Sequence, residues 1–191
     1  SFGDILEDLD YAFMLFASAR NGPWVIYLDT TAVKTTSEEK VSGAIVDKVK
    51  IRSRTDTLAL AVGRVLAETP QGDLDAYLGA RFWWLENTFT LDTTLGSRER
   101  TEKASWADPI VGVSGRYRAA DRWMVFGSAE VGGFGVGADL EWSVLAGARY
   151  EVSDFWGVSF GWRHLVVDYD KDGVVFDVTQ TGPVIGATFR F

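Results

Sequence analysis

Three groups of residues have types and spacings that could support chemistry. At 168–173 the chain reads DYDKDG, which sets Asp168, Asp170 and Asp172 at every second position before Gly173. Alternate carboxylates followed by a glycine open a calcium loop of the D-x-D-x-D-G kind, where oxygens converge on a hard cation. The twelfth position would be Thr179, where such a loop needs a bidentate Glu, and no flanking helices are expected. The expectation is therefore a solvated acidic hairpin loop, with weak divalent-cation binding as the lesser reading. His164 is the sole histidine. A nucleophilic Ser–His arrangement needs a serine close in space and a carboxylate behind the imidazole, and no local pattern supplies them, so no catalytic residue is assigned. The third group is a set of charges of both signs, Arg20, Asp29, Arg81, Asp108, Arg116, Glu130, Glu141, Arg149 and Arg163, which recur on one side of successive segments.

The elements that carry these residues are strands. Val174 to Phe191 reads VVFDVTQTGPVIGATFRF. Counting back in twos from the end gives Phe191, Phe189, Ala187, Ile185 and Pro183 on one face, against Arg190, Thr188, Gly186, Val184 and Gly182 on the other. That period of two with chemically distinct sides defines a strand. The same alternation recurs at 11–20, 24–34, 46–67, 74–84, 108–117, 122–131, 139–151 and 156–163, giving nine strands in all. NGP at 21–23, TPQGD at 69–73, AADR at 119–122 and VSD at 152–154 are short turns; 35–43 and 96–105 read as longer polar loops. GGFGVG at 132–137 lacks the Lys-Ser/Thr ending and following helix of a phosphate loop, and reads as a tight reversal. Residues 1–9 are a loop or one helical turn, and residues 1–191 are a single domain.

Composition narrows the function. Aromatics make up 14%, Gly numbers 20 and Pro only 4, a balance that suits an all-β chain. With no Cys there is no disulfide, thiolate metal site or cysteine nucleophile. A net charge of −8 argues against a nucleic-acid partner. No apolar run of about 18 residues offers a transmembrane helix. The start at Ser1, without a signal peptide, is expected of a processed or trimmed chain.

Alternation alone does not say which face is buried. A soluble ligand-binding barrel of the lipocalin kind is apolar inside, and a membrane barrel is apolar outside. Three patterns favour the second. The charges listed above suit a narrow lumen where opposite signs pair, whereas Arg or Lys facing lipid at mid-depth costs about 2–4 kcal/mol. Aromatics gather toward strand ends: Trp24, Tyr117, Trp123, Tyr150 and Trp156 beside short turns, and Trp84, Trp142 and Trp162 toward the other ends. Such rings are expected at the two membrane interfaces. Short turns also alternate with longer loops, as they do when one side faces the periplasm and the other the exterior.

With a final amphipathic strand ending on Phe189 and Phe191 and with these aromatic bands, the sequence resembles small bacterial outer-membrane β-barrels, in the size class of the OmpA transmembrane domain and the OmpW-like proteins. The resemblance implies a closed antiparallel up-and-down transmembrane barrel in the bacterial outer membrane. It also implies insertion by the barrel-assembly machinery through the C-terminal strand, and lipid and lipopolysaccharide as neighbours. It names no protein partner and no cofactor beyond a weakly bound divalent cation. Outer-membrane deacylases carry a Ser two residues after their His; position 166 is Val, so an enzyme is not expected. The functional expectation is a structural or interaction barrel with a salt-bridged lumen; the alternatives are a narrow passive channel and, with faces inverted, the soluble barrel. Nine strands are odd where such barrels are even. Ten strands, with the first lying ahead of those read here, is the expectation; eight, with 11–20 not a strand, is the alternative.

Overall fold

A computed structural model of the chain describes residues 9–40, 46–93, 96–171 and 173–189. It holds nine strands: β1 (Leu9–Asn21), β2 (Trp24–Lys40), β3 (Val46–Thr69), β4 (Gly72–Thr93), β5 (Gly96–Ala120), β6 (Trp123–Gly133), β7 (Leu140–Glu151), β8 (Trp156–Lys171) and β9 (Val174–Phe189). They form one sheet in which each strand neighbours the next, from β1 to β9. The chain is thus an all-β up-and-down antiparallel meander. Because 11–20 lies within β1, the eight-strand alternative fails.

Two further expectations are corrected. Residues 35–40 continue β2 and 96–105 begin β5, where polar loops were expected. Charges and threonines on both faces of a solvated strand erase the period-2 hydrophobic signal, so these segments look like loops while their backbones stay in the ladder. Where the chain does reverse, the residues fit the geometry. Gly22 and Gly173 take φ of +57° and +78° at the β1–β2 and β8–β9 turns, a region open to glycine at no steric cost.

Contacts divide the chain into two compact units. One comprises residues 1–17, 28–59 and 82–106. Within it Trp83 stacks on Trp106 with ring centroids 5.5 Å apart. Polar side chains bridge its strands: the Thr30 hydroxyl donates to the Thr57 carbonyl at 2.8 Å, and the Ser53 hydroxyl to Asn87 Oδ1 at 2.7 Å. The other comprises residues 18–27, 60–81 and 107–191. Its small apolar cluster joins Val25, Tyr27 and Ala61, with Val65 and Tyr77 packed against them.

The second unit shows which face is buried. Arg81 is 2% exposed, and Asp108 and Glu141 are 0% exposed, whereas Leu78 is 69% and Ile185 80% exposed. Ile26, Val111, Val113 and Phe160 are exposed as well. The charged face is covered and the aliphatic face is open, which is the reverse of a lipocalin-like barrel.

Candidate functional site: a buried ionic cluster on the inner face

The β5–β6–β7 register positions the central charges. Glu130 on β6 pairs with Ser143 on β7, and Gly132 with Glu141. Glu130 and Glu141 are therefore diagonal neighbours on one face. Gly132 makes that approach feasible: a Cβ there would lie 2.8 Å from Glu141 Oε1 and 2.7 Å from the Pro109 carbonyl. Arg81 reaches into this corner from β4. Its Nη2 lies 2.7 Å from Glu130 Oε1 in an ion pair, and its Nη1 lies 3.7 Å from Glu141 Oε1. Four strands, β4 to β7, would separate Arg81 and Glu141 by about 14 Å in a flat sheet, so the second unit curls its charged face inward. A guanidinium buried among carboxylates suits this corner because its planar fork is always charged and more weakly hydrated than an ammonium.

Other charges form separate groups. Near the short turns, Arg20 Nη2 meets Glu68 Oε2 at 2.7 Å and Arg20 Nη1 lies 3.7 Å from Asp73, whose other cation is Arg116 at 2.8 Å. Glu151 takes Arg118 at 2.9 Å and Arg149 at 3.3 Å. Asp108 instead accepts the Ala138 amide at 2.7 Å, with both residues fully buried. This bond ties down the glycine loop, whose Phe134 adopts φ of +51° and whose Gly135 and Val136 carbonyls both accept from the Lys171 ammonium. Asp29 and Arg163 are half-buried on β2 and β8.

Sequence reading missed several partners. Tyr27 donates to Asp75 Oδ2 at 2.7 Å, and its ring lies 5.1 Å from that of Tyr77. Both residues sit on the charged face by alternation, but only the placing of β2 and β4 on either side of β3 brings them together. Glu68, Asp73, Arg118, Glu151 and Lys171 lie outside the expected set of inner-face charges; their position beside turns was the one available signal.

Of the aromatic band, Trp24, Trp84, Tyr117, Trp123 and Trp162 are exposed, and Trp142, Tyr150 and Trp156 half-buried. Trp123 pairs with Tyr150 across β6–β7, and Trp156 with Phe189 across β8–β9. Trp162 sits in the middle of its ladder, paired with Ala146 and Pro183, and donates through Nε1 to the Thr181 hydroxyl at 2.9 Å. Phe189 is exposed, and Phe191 lies outside the described residues.

Asp168 and Asp170 lie exposed within β8, paired with Asp177 and Val175; Asp172 lies outside the described residues. The ladder continues to Lys171↔Val174, so Asp168 and Asp170 sit on the ladder rather than on a wrapped loop. His164 contacts Trp142, with ring centroids 4.9 Å apart.

Outside the candidate span, on the first unit, Glu38 contacts the Lys48 ammonium and accepts from Lys50 at 2.6 Å. The hydrogen bonds from Lys48 and then Lys50 hold its carboxyl down at about 2. Lys103, 2.8 Å away, likewise lowers Glu86.

The fold is an up-and-down antiparallel meander, and its likeness to solved structures lies among outer-membrane β-barrel domains. The chain is similar to the translocator domain of autotransporter NalP from Neisseria meningitidis, with a TM-score of 0.50 and 14% identity over 94% of this chain and 73% of that one. A weaker likeness joins it to the CymD monoaromatic hydrocarbon channel, with a TM-score of 0.40 and 10% identity over 94% of this chain and 64% of that one. No protein-family model matches the sequence. A search of curated proteins likewise finds no match. At these identities the likeness to the translocator domain concerns the fold.

Proposed function

We propose that the chain is an integral outer-membrane β-barrel with a structural or interaction role, its lumen occupied by ion-paired side chains rather than left open. The observation that carries this reading is the inverted burial of the second unit: Arg81, Glu130 and Glu141 are withdrawn from solvent while Leu78 and Ile185 are bare. Water would reward neither arrangement. Lipid rewards the aliphatic exterior, and a small lumen rewards charges of both signs. The exposed aromatics form interfacial anchors, lipid and lipopolysaccharide are the neighbours, and the C-terminal strand carries the signal read by the barrel-assembly machinery. No catalytic role is proposed for His164, and no bound cofactor. In an up-and-down meander β1 and β9 point the same way, so closure by antiparallel pairing takes one further strand.

The test is reconstitution. The purified chain should require detergent, give a compact band that shifts on boiling, and float with liposomes. Planar-bilayer recordings should then show no steady conductance. Steady unitary conductance would replace the structural reading with the passive channel, and solubility without detergent would remove the membrane assignment.

A further inference from the structure

Strand β5 is longer than its neighbour on the β6 side. The β5–β6 ladder runs from Ala120↔Trp123 to Ile110↔Gly132 and β6 ends at Gly133. In the sheet order β5 has no other neighbour on that side. Among the described residues, 96–105 therefore present an open backbone edge. A transmembrane strand needs about 9–11 residues. Counted from the short turn after Ala120, that length ends near Pro109, so the open edge lies beyond the span. Residues 96–103 are exposed on both faces. An edge of this length is a template for pairing with another strand.

The side chains on this edge specify which strand. The order is Arg98, Glu99, Arg100, Thr101, Glu102, Lys103. Placed antiparallel to a copy of itself with Thr101 opposite Thr101, the segment sets Arg100 against Glu102 and Glu99 against Lys103. By two-fold symmetry each pairing occurs twice, and every one joins opposite charges. Placed parallel and in register, each charge would meet its own kind, which opposes pairing. The existing partners of these groups, Glu102 for Arg100 and Glu86 for Lys103, are exposed ion pairs that exchange readily.

We propose that residues 96–105 pair antiparallel with the same segment of a second copy. Copies in one membrane point the same way and offer one another only the parallel arrangement. The antiparallel arrangement joins copies from two facing membranes, so the inference rests on the membrane reading and adds a homotypic, membrane-to-membrane contact to it.

The experiment uses the full chain in liposomes, with flotation measured first and clustering by light scattering second. Two double variants keep the net charge unchanged. In Arg100→Glu with Glu102→Arg, the symmetric pairs stay opposite. In Glu99→Lys with Arg100→Glu, all become like-charged. Wild type and the first variant should cluster vesicles at similar protein density. The second should float equally well yet need at least about tenfold more protein to cluster. Flotation without clustering by wild type, or equal clustering by both variants, overturns the pairing and leaves the membrane reading intact. Failure of wild type to float overturns both. The first variant also guards against a folding defect at position 100, since it carries the same Arg100→Glu change.

Discussion

Replacing Arg81 by Met tests whether the inner face is a dry ionic plug. Arg81 is 2% exposed, and the side chains of its partners Glu130 and Glu141 are 6% and 1% exposed. The substitution roughly preserves volume and removes the one cation at 2.7 Å from Glu130. Two buried carboxylates would then face each other without it. Breaking a buried pair by deleting one partner costs about 3–5 kcal/mol, most of it from the stranded charge. Neutralising the carboxylates in the same background, with Glu130→Gln and Glu141→Gln, removes that stranded charge and should recover most of the loss. Urea unfolding in detergent micelles, followed by tryptophan fluorescence and by the boiled-versus-unboiled gel shift, gives both numbers. The reasoning is refuted if Arg81→Met alone costs under about 1 kcal/mol. That result would mean water screens the carboxylates as it does at a surface, and a hydrated lumen would favour the channel.

Other outcomes follow from the same geometry. Leu78→Arg, on the bare face, should destabilise the membrane-inserted state by about 2–4 kcal/mol, while Arg81→Lys, one turn of the pleat inward, should be felt through its ion pairs; urea titrations in bilayers compare the two. Asp108→Ala removes the acceptor of the buried Ala138 amide, so it should cost about 1.5–3 kcal/mol and accelerate hydrogen exchange at Ala138. Gly112→Ala would place a Cβ 2.5 Å from the Tyr77 ring and 2.7 Å from the Ala129 carbonyl, and overpacking of this kind costs about 1–3 kcal/mol by denaturant midpoint. Glu38 ionises more readily when folded than its ordinary value of 4.5, with its carboxyl held at about 2 by Lys48 and Lys50. Its contribution is therefore complete above about 4.5 and lost as pH falls toward 2, and carboxyl NMR shifts of Glu38 should titrate in that window.

Much of the fold was legible because one face of each strand is apolar and the other is not. The alternation of Leu74, Ala76, Leu78 and Ala80 against Asp75, Tyr77, Gly79 and Arg81 marks β4 and its buried side together. Legibility failed at 35–40 and 96–105, where polar and charged residues fall on both faces and pattern carries no information about backbone. The sequence lists the charges of this face but not how they group. Arg81 meets Glu130 and Glu141 because of strand register and sheet curvature, neither of which a single strand records. Asp108 accepts the Ala138 backbone amide, and a main-chain donor has no signature in the sequence. The aromatic positions beside turns were equally visible, yet Trp162 lies mid-ladder, since its strand continues well past the point where alternation weakens.

The β8–β9 ladder is unbroken from Lys171↔Val174 at the reversal to Trp156↔Phe189 at its far end. By contrast, β5–β6 slips between Arg118 and Ala120. A long regular hairpin closes its first contacts with very little loss of chain entropy, and each later pair closes on the one before. Sequence-local pairing of this kind forms early relative to pairings across long loops. The β8–β9 hairpin is thus the part of the sheet best able to zip first. Assembly would then grow outward from this hairpin, with β7 adding to a finished template and β1 arriving last.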